Sequence, residues 1–414
     1  MEINENKTGV VAFGIKTGII TFDDIMVDTI KHYFKENPNM IQNNDIVCVT
    51  EAVVGITQHN RVTLNEISKE IKYKLNLKDD STIGLLYPIL SRNRFSMILK
   101  AIAKTVPKGK IIIQLLFPSD EQGNPIITYS HYHKELKKKF EDKITLEDIG
   151  NKRTYHPETG VDYIDVYEKI VKEEGAEVEI YLANSTKYMV ENKTDAVIVC
   201  NVHHRNDTLE ALRNRGYTKA ITLQDICSDP SKEAHSKYGL LGSNILDPKR
   251  ETIKLAPRDA DIVCGDIQKM IKNEFDKHVE VIVYGDGAYK DPESGIYELA
   301  DPVSAFGVTP GIKDRNRVGV KTKYLMQKLY NEGKTKEEIQ KIIHEEKIRI
   351  VETKKKDDYA SEGTTPRKIE NLVSSLADLV SGSADANTPV VIVRGFIWLK
   401  EILLVLKLKN NKEL

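Results

Sequence analysis

The residues with the clearest chemical potential lie between Val279 and Pro302, in the segment VEVIVYGDGAYKDPESGIYELADP. The apolar, largely β-branched run Val279–Val283 predicts a buried strand, and Gly285 and Gly287 allow a sharp turn and the close approach of a ligand. Asp286 would then present a free carboxylate at a strand end, a common place for magnesium and a phosphate. The alternative is an Asp-Gly hairpin turn with solvated acids. Further acids follow in the sequence, namely Asp291, Glu293, Glu298 and Asp301.

A second candidate is the segment Gly14-Ile15-Lys16-Thr17-Gly18 near the start of the chain. Lysine, a hydroxyl and backbone amides can together hold a phosphate. The glycine–lysine pattern of a P-loop is absent from the chain, and the alternative for this segment is a surface turn. A third candidate is Thr50-Glu51-Ala52 together with Gln58-His59-Asn60-Arg61, just after the apolar stretch 45–49. Polar residues at a strand exit suit a ligand pocket. The alternative there is an ordinary loop.

The box Ser91-Arg92-Asn93-Arg94 precedes a predicted helix. Guanidinium groups pair bidentately with carboxylate or phosphate, so Arg92 and Arg94 form a plausible anion clamp. The alternative is a solvated helix start. Two loops of small residues, 361–368 and 381–389, could wrap phosphates or form simple turns. A metal role is disfavoured for the adjacent histidines His203 and His204, and for the pair His131 and His133.

Periodicity places these residues on an alternation of strands and helices. A capping box of Thr63 and Glu66 predicts the start of a helix, and Asp23 or Asp24 is expected to cap another. The predicted strands are 10–20, 45–54, 110–116, 177–182, 195–200, 220–223, 279–283 and 389–393. The predicted helices are 23–36, 63–75, 162–174, 208–215, 336–352 and 369–380. The alternation predicts a parallel sheet, with the loops FPSDEQGN and NVHHRND at the carboxyl ends of its strands.

The composition limits the class of protein. The chain has 414 residues, which suggests two or three domains, and its 61 basic and 62 acidic residues give no strong attraction to nucleic acid or a membrane. No apolar run reaches the roughly 18–20 residues that span a bilayer, and the first residues do not form a signal peptide. The four cysteines lack a CxxC pair, so reduced thiols in a cytoplasmic protein are expected and zinc is disfavoured.

The order of these pieces resembles the coenzyme F420-0:L-glutamate ligase (gamma-glutamyl ligase) family, in its longer bacterial-type branch. The matching pieces are GIKTGIITFDDI, NNDIVCVTEAVV, YGLLGSN, VIVYGDGAYKDP, GTTPRK and TPVVIVRGF. The resemblance implies a mixed α/β fold with a discontinuous ligase-like core at 1–62 and 236–396. An enlarged central α/β insertion or second domain would occupy 63–235, and a tail 397–414.

By this resemblance the protein would be an enzyme that joins L-glutamate to the carboxylate of a phosphorylated acceptor such as coenzyme F420-0. GTP would be the co-substrate, with Mg²⁺ or Mn²⁺ and K⁺ as further cations, and the protein is expected to be a cytoplasmic homodimer. Asp286 would hold the metal, and Asp286, Arg92 and Arg94 would be catalytic. The expected cofactor-binding residues are Gly14, Ile15, Lys16, Thr17, Glu51, Ser243, Asn244 and Gly287.

The chain also departs from the family pattern. Leu241 stands where compact relatives carry a metal-binding aspartate, while Ser243 and Asn244 are retained. Ile56 and His59 replace a basic residue and a glycine. The alternative function is therefore a non-catalytic or repurposed binding protein that kept the ligase fold and lost its usual metal site.

Overall fold

The structure is a computed structural model that describes residues 9–150, 155, 160–285, 301–317, 320–353, 367–381 and 387–396. Its strands are β1 (Val11–Ile15), β2 (Ile46–Thr50), β3 (Arg61–Thr63), β4 (Thr82–Leu86), β5 (Lys110–Leu115), β6 (Ile144–Thr145), β7 (Glu177–Leu182), β8 (Ala196–Val199), β9 (Ala220–Thr222), β10 (Asn244–Asp247), β11 (Thr252–Lys254), β12 (Glu280–Tyr284), β13 (Ala305–Val308), β14 (Asn316–Arg317), β15 (Arg367–Lys368) and β16 (Val390–Arg394). Its α-helices are α1 (Met26–Glu36), α2 (Glu51–Thr57), α3 (Leu64–Lys74), α4 (Phe95–Thr105), α5 (Leu146–Ile149), α6 (Tyr163–Glu173), α7 (Lys187–Glu191), α8 (Arg205–Arg213), α9 (Ala260–Phe275), α10 (Thr322–Asn331), α11 (Lys336–Thr353) and α12 (Ile369–Ser381). Short 3-10 turns at Pro38–Met40 and Leu223–Asp225 and a π-helical turn at Ser130–Glu135 complete the regular structure of these residues. The mixed α/β class is confirmed.

A five-stranded sheet has the order β1-β16-β2-β12-β13. β2 and β12 are parallel, and β16 lies antiparallel between β1 and β2. β1, β2 and β12 therefore all end at one edge of this sheet, here called the Glu51 edge. The segments before β16 and β13 reach the same edge, because the N–H of Thr50 donates to the Pro389 carbonyl at 3.0 Å and that of Gly285 to the Ser304 carbonyl at 2.9 Å.

A six-stranded sheet has the order β6-β7-β5-β4-β8-β9, and its strands are parallel apart from β6. Apolar runs such as IIIQL in β5 are buried, as expected for parallel strands covered by helices on both faces. The chain passes from β4 outward through β5 to β7 and then returns to β8, so the direction of winding reverses between β4 and β8. The parallel sheet predicted from the alternating pattern is thus confirmed.

The loops after β5 and β8 meet at the carboxyl edge of the six-stranded sheet, as predicted. The carboxylate of Glu121 accepts hydrogen bonds from the backbone N–H groups of Val202, His203 and His204. Asp120 fixes the same loop, because it accepts the N–H of Leu90 at 2.8 Å.

Each large sheet has its own hydrophobic core. Helices α3, α4 and α6 pack together beside the six-stranded sheet, while α1 and α9 cover one face of the five-stranded sheet and α12 covers the other. The predicted capping box is confirmed at the start of α3, where the Thr63 side chain accepts the N–H of Glu66 and the Glu66 carboxylate accepts the N–H of Thr63. A three-stranded sheet, β10-β11-β3, lies near the Glu51 edge, and β14 and β15 form a two-stranded sheet. The domain limits stay a prediction.

Several predicted element boundaries are wrong. The strand predicted over 10–20 ends at Ile15, so β1 is about half as long as expected. The strand predicted over 45–54 ends at Thr50, because Glu51, Val54 and Gly55 are buried at helical spacing and the chain forms α2. Asp24 does not cap α1, since its carboxylate accepts the N–H of Thr21 at 2.6 Å, and the helix begins at Met26. Among the described residues, no helix is long and apolar enough to cross a membrane.

Candidate active site

The topology brings several predicted site residues to the Glu51 edge. Ile15 ends β1, Glu51 follows β2 directly, and Gly285 follows β12. Gly14 permits close packing at this edge, since a Cβ added there would lie 2.9 Å from the Cβ of Thr388. The start of the predicted phosphate-binding turn, the Glu51 carboxylate and Gly285, the first residue of the predicted glycine turn, therefore lie at one edge.

Glu51 forms a buried ion pair with Lys254, the last residue of β11. Glu51 is 3% exposed and Lys254 5% exposed. Removing two charges from water is expensive, so a buried pair contributes less to stability than its Coulomb energy suggests. Such groups are more common at functional sites than in ordinary cores.

A second buried ion pair joins the two large sheets. Arg94, from the loop between β4 and α4, donates to the carboxylate of Asp301 at 2.8 Å. Their side chains are 6% and 1% exposed. The six-stranded sheet thus supplies one cation to the Glu51 edge of the five-stranded sheet.

The two pairs influence each other electrostatically. Burial raises the pKa of the Glu51 carboxyl group, and the charge of Asp301 acts in the same direction. Lys254 and Arg94 oppose this rise in pKa. Glu51, Lys254, Arg94 and Asp301 are called the Glu51 cluster below; it contains two carboxylates and two cations out of contact with bulk water.

Glycines make room for the Asp301 carboxylate. A Cβ on Gly285 would overlap one carboxylate oxygen, and a Cβ on Gly242 would lie 3.4 Å from the other. Gly242 also has a φ of 71°, which favours glycine. Ser243, a predicted cofactor-binding residue, follows directly and is buried, with its hydroxyl donating to the Leu240 carbonyl at 2.7 Å.

A small cavity of about 20 Å³ lies between the Glu51 cluster and the six-stranded sheet. Arg94 and Ser243 line it together with apolar side chains that include Leu241. This volume suits a single water molecule. Leu241 is 2% exposed and belongs to the core of the six-stranded sheet, so it is a packing residue in this structure.

The remaining residues that the sequence predicted for the site lie in several different environments. Lys16 is exposed, and the Thr17 hydroxyl donates to the Gly18 carbonyl at 3.2 Å. Asn244 begins β10 and lies opposite Lys254 in the strand register. Arg92 is half-buried two residues before Arg94. Asp286 and Gly287 lie outside the described residues, as do most of the two small-residue loops.

The structure also reveals residues whose roles the sequence did not predict. Lys254 is a single lysine in a short strand, and the sequence around it gave only a weak indication that it is a site residue. Asp301 was one of several acids after the glycine turn, with nothing to distinguish it. His133 stacks on Tyr129, with ring centroids 4.9 Å apart. The four cysteines are free and buried, as predicted for reduced thiols.

The described residues do not complete a site for a divalent metal. No group of three His, Cys, Asp or Glu side chains suited to a metal occurs among them. The two carboxylates of the Glu51 cluster are each paired with a cation. Asp286, which lies outside the described residues, stays the predicted metal ligand at this edge.

Comparisons with known proteins bear on the whole chain. No curated protein matches it. The model of the family described as F420-0:gamma-glutamyl ligase matches residues 14–395, which include both large sheets and the Glu51 cluster. Because this match covers far more than half of the sequence, the chain belongs to the F420-0:gamma-glutamyl ligase family.

Proposed function

We propose that this member of a glutamate-adding ligase family uses a nucleoside triphosphate and a divalent metal to join L-glutamate to a phosphorylated acceptor. The observation that carries the proposal is the Glu51 cluster, where two buried cations and two buried carboxylates meet at the ends of three strands. Coenzyme F420-0 is the first acceptor to test, because the family is described by it.

The chemistry of amide formation suits this edge. The acceptor carboxylate takes the γ-phosphoryl group, and the glutamate amine then attacks the carbonyl carbon and displaces phosphate. Negative charge develops on the carbonyl and phosphoryl oxygens, and fixed cations in a water-poor site stabilise such charge strongly. Lys254 and Arg94 are buried cations within this edge.

Glu51 suits a proton-accepting role in the second step. The attacking amine must lose protons as the C–N bond forms, and a carboxylate with a raised pKa is the stronger base. Burial raises the pKa of the Glu51 carboxyl group. A divalent metal, when bound, would neutralise the nucleotide phosphates; its ligands, with Asp286 as the first candidate, stay a prediction, as do K⁺, GTP and the homodimer.

The direct test incubates the protein with F420-0, L-glutamate and GTP, ATP or UTP, each with magnesium or manganese. Mass spectrometry should show the acceptor gaining a glutamyl residue only when nucleotide and metal are both present. The Asp286→Asn variant should lose most of this activity and keep its unfolding midpoint, since one charge is removed without a change of volume. Asp247→Asn, at the last residue of β10, is the matched control and should stay active.

The alternative is a binding protein that retained the fold. Leu241 favours it, because a buried leucine occupies the position where compact relatives place a metal-binding aspartate. The absence of product with every nucleotide, together with no heat of nucleotide binding in calorimetry, would establish this alternative. Full activity of Asp286→Asn would instead remove Asp286 from the metal site.

A further inference from the structure

A pocket of about 400 Å³ lies beside the Glu51 cluster. One wall comes from the residues around β3 and from α3, and the other from residues 227–234. Its volume lies in the range typical of sites for small metabolites. The ionisable side chains that line it, here called the Arg61 pocket, are His59, Arg61, Glu66, Glu70, Lys232 and Glu233.

Two acids of the Arg61 pocket are already engaged within the protein. Glu66 caps α3 by accepting the N–H and the hydroxyl of Thr63, each at 2.7 Å. Glu70 accepts the N–H of Cys227 and the ammonium of Lys74, both at 2.8 Å. Burial alone would raise the pKa of Glu70, but these bonds lower it, so Glu70 stays ionised.

The main cation of the pocket is available to a ligand. The Arg61 guanidinium lies 4.8 Å from the ring centre of Phe22, and the His59 ring lies 5.5 Å from the same ring. Within the described part of the chain, no carboxylate forms an ion pair with Arg61. Stacking holds the guanidinium in place and leaves its N–H groups able to bind a carboxylate.

Arg258 fixes the walls of the pocket relative to each other. Its guanidinium donates to the carbonyls of Gln58, at 2.6 Å, and of Glu233. Asn60 adds bonds to the His235 carbonyl at 2.9 Å and the Ala256 carbonyl at 2.7 Å. These bonds join the segment around His59 to the segment around Glu233, so the pocket is already formed without a ligand.

The mixture of acidic and basic side chains in the Arg61 pocket favours a zwitterionic ligand over a phosphate. Three carboxylates in the lining would repel a dianionic phosphate group. An amino acid with an acidic side chain matches both signs, since Arg61 can bind a carboxylate and Glu233 the ammonium group. Lys232 also lies in the lining, where its ammonium pairs with Glu70 at 3.5 Å. The Glu233 side chain makes no ion pair with another described residue.

The Arg61 pocket also lies next to the proposed chemistry. Arg61 is directly opposite Lys254 in the register of β3 and β11, and such cross-strand neighbours have Cβ atoms about 4.5–5.5 Å apart. Lys254 is a member of the Glu51 cluster. A ligand held by Arg61 would thus be close to the edge at which the amide bond forms.

From these observations we infer that the Arg61 pocket binds the amino-acid substrate, L-glutamate, with Arg61 on a carboxylate and Glu233 on the ammonium group. The inference rests on the proposed function for its choice of amino acid. The binding itself can be measured without any turnover, so the two proposals can fail separately.

The experiment is isothermal titration of the full-length protein with L-glutamate, glutarate and inorganic phosphate, with and without GTP and magnesium. L-Glutamate should bind more tightly than glutarate, which lacks the ammonium group, and more tightly than phosphate. Arg61→Gln should weaken L-glutamate binding at least about tenfold, since it removes a charged hydrogen-bond donor. Glu233→Gln should weaken L-glutamate but not glutarate. Arg250→Gln, an exposed arginine in the turn between β10 and β11, is the matched control and should bind normally.

Three outcomes would overturn the inference. One is no saturable binding of L-glutamate under either condition; another is binding that Arg61→Gln leaves unchanged. The third is a preference for phosphate that depends on Arg61, which would make the pocket a phosphate site. If L-glutamate binds as expected but no ligase product forms, the pocket inference stands and the proposed function fails.

Discussion

The carboxyl edges of the two large sheets differ in what they contain. The six-stranded sheet has a point between β4 and β8 where the winding reverses, which is where open α/β sheets usually bind ligands. Apolar side chains fill that place, with Leu240 and Leu241 lying against Ile89 and Phe95, and leave about 20 Å³. The Glu51 edge of the five-stranded sheet instead holds four buried charges.

This difference shows that strand topology alone does not create a ligand site. The side chains at the strand ends must also leave space and polar groups for a ligand. Two glycines with positive φ, Gly239 and Gly242, turn the segment 238–243 so that its leucines enter the crevice of the six-stranded sheet. The crevice then serves as packing between the two cores, and Arg94 is the polar group that passes from it to the Glu51 edge. The six-stranded sheet thus supports the site of the other sheet.

The largest expected effect comes from breaking the ion pair that joins the sheets. Asp301→Asn removes the carboxylate charge that pairs with the buried Arg94 guanidinium, and removing one partner of a buried pair destabilises by about 3–5 kcal/mol. Urea unfolding should show this loss relative to Asp247→Asn, whose carboxylate lies in a surface turn. An unchanged midpoint would mean that Arg94 reaches water or another anion.

The next largest effect is expected from substitutions of Leu241, one of the apolar side chains that fill the crevice of the six-stranded sheet. Leu241→Ala should lower the free energy of unfolding by about 2–4 kcal/mol, because it leaves a cavity in a packed core. Leu241→Asp should destabilise at least as much, since a carboxylate would be buried among apolar groups. Elemental analysis of folded Leu241→Asp protein tests this role. Uptake of a stoichiometric divalent metal would contradict the packing role of Leu241 and would support the metal-binding aspartate expected at this position from the family resemblance.

A smaller effect concerns pH at the Glu51 edge. Burial raises the folded-state pKa of Glu51, so above its ordinary pKa of about 4.3 the unfolded chain binds fewer protons than the folded one. Ionisation of Glu51 therefore lowers stability as pH rises above that value, by up to about 1.4 kcal/mol per pH unit. Denaturant unfolding between pH 4 and 8 should show a flatter dependence for Glu51→Gln than for the wild type. Parallel curves would show that Lys254 holds the pKa of Glu51 near its ordinary value.

Sequence reasoning recovered the elements better than the site. Buried β-branched runs and the Thr63 capping box have local causes, so β5, β7 and the start of α3 were predictable. Glu51 and Arg94 were predicted separately as site residues, Glu51 because it lies at a strand exit and Arg94 because two arginines before a helix can bind an anion. Their shared cluster depends on Lys254 and Asp301, which are distant in sequence, and on the turn at Gly242. Tertiary packing determines which of these distant residues form ion pairs, and no local pattern in a single sequence shows it.

The smallest expected effect on stability comes from a substitution that tests whether only the Glu51 edge takes part in catalysis. At the six-stranded sheet, the Glu121 carboxylate accepts the N–H groups of Val202, His203 and His204, which come directly before α8. A negative charge there complements the positive end of the helix. Glu121→Gln keeps the shape and removes the charge, so stability should fall by about 1 kcal/mol relative to Glu147→Gln, an exposed control. Ligase activity should be unchanged, because these bonds join loops of the six-stranded sheet and none of them involves the Glu51 cluster. A loss of activity at unchanged stability would place the loop after β5 in the active site and would remove the contrast between the two edges.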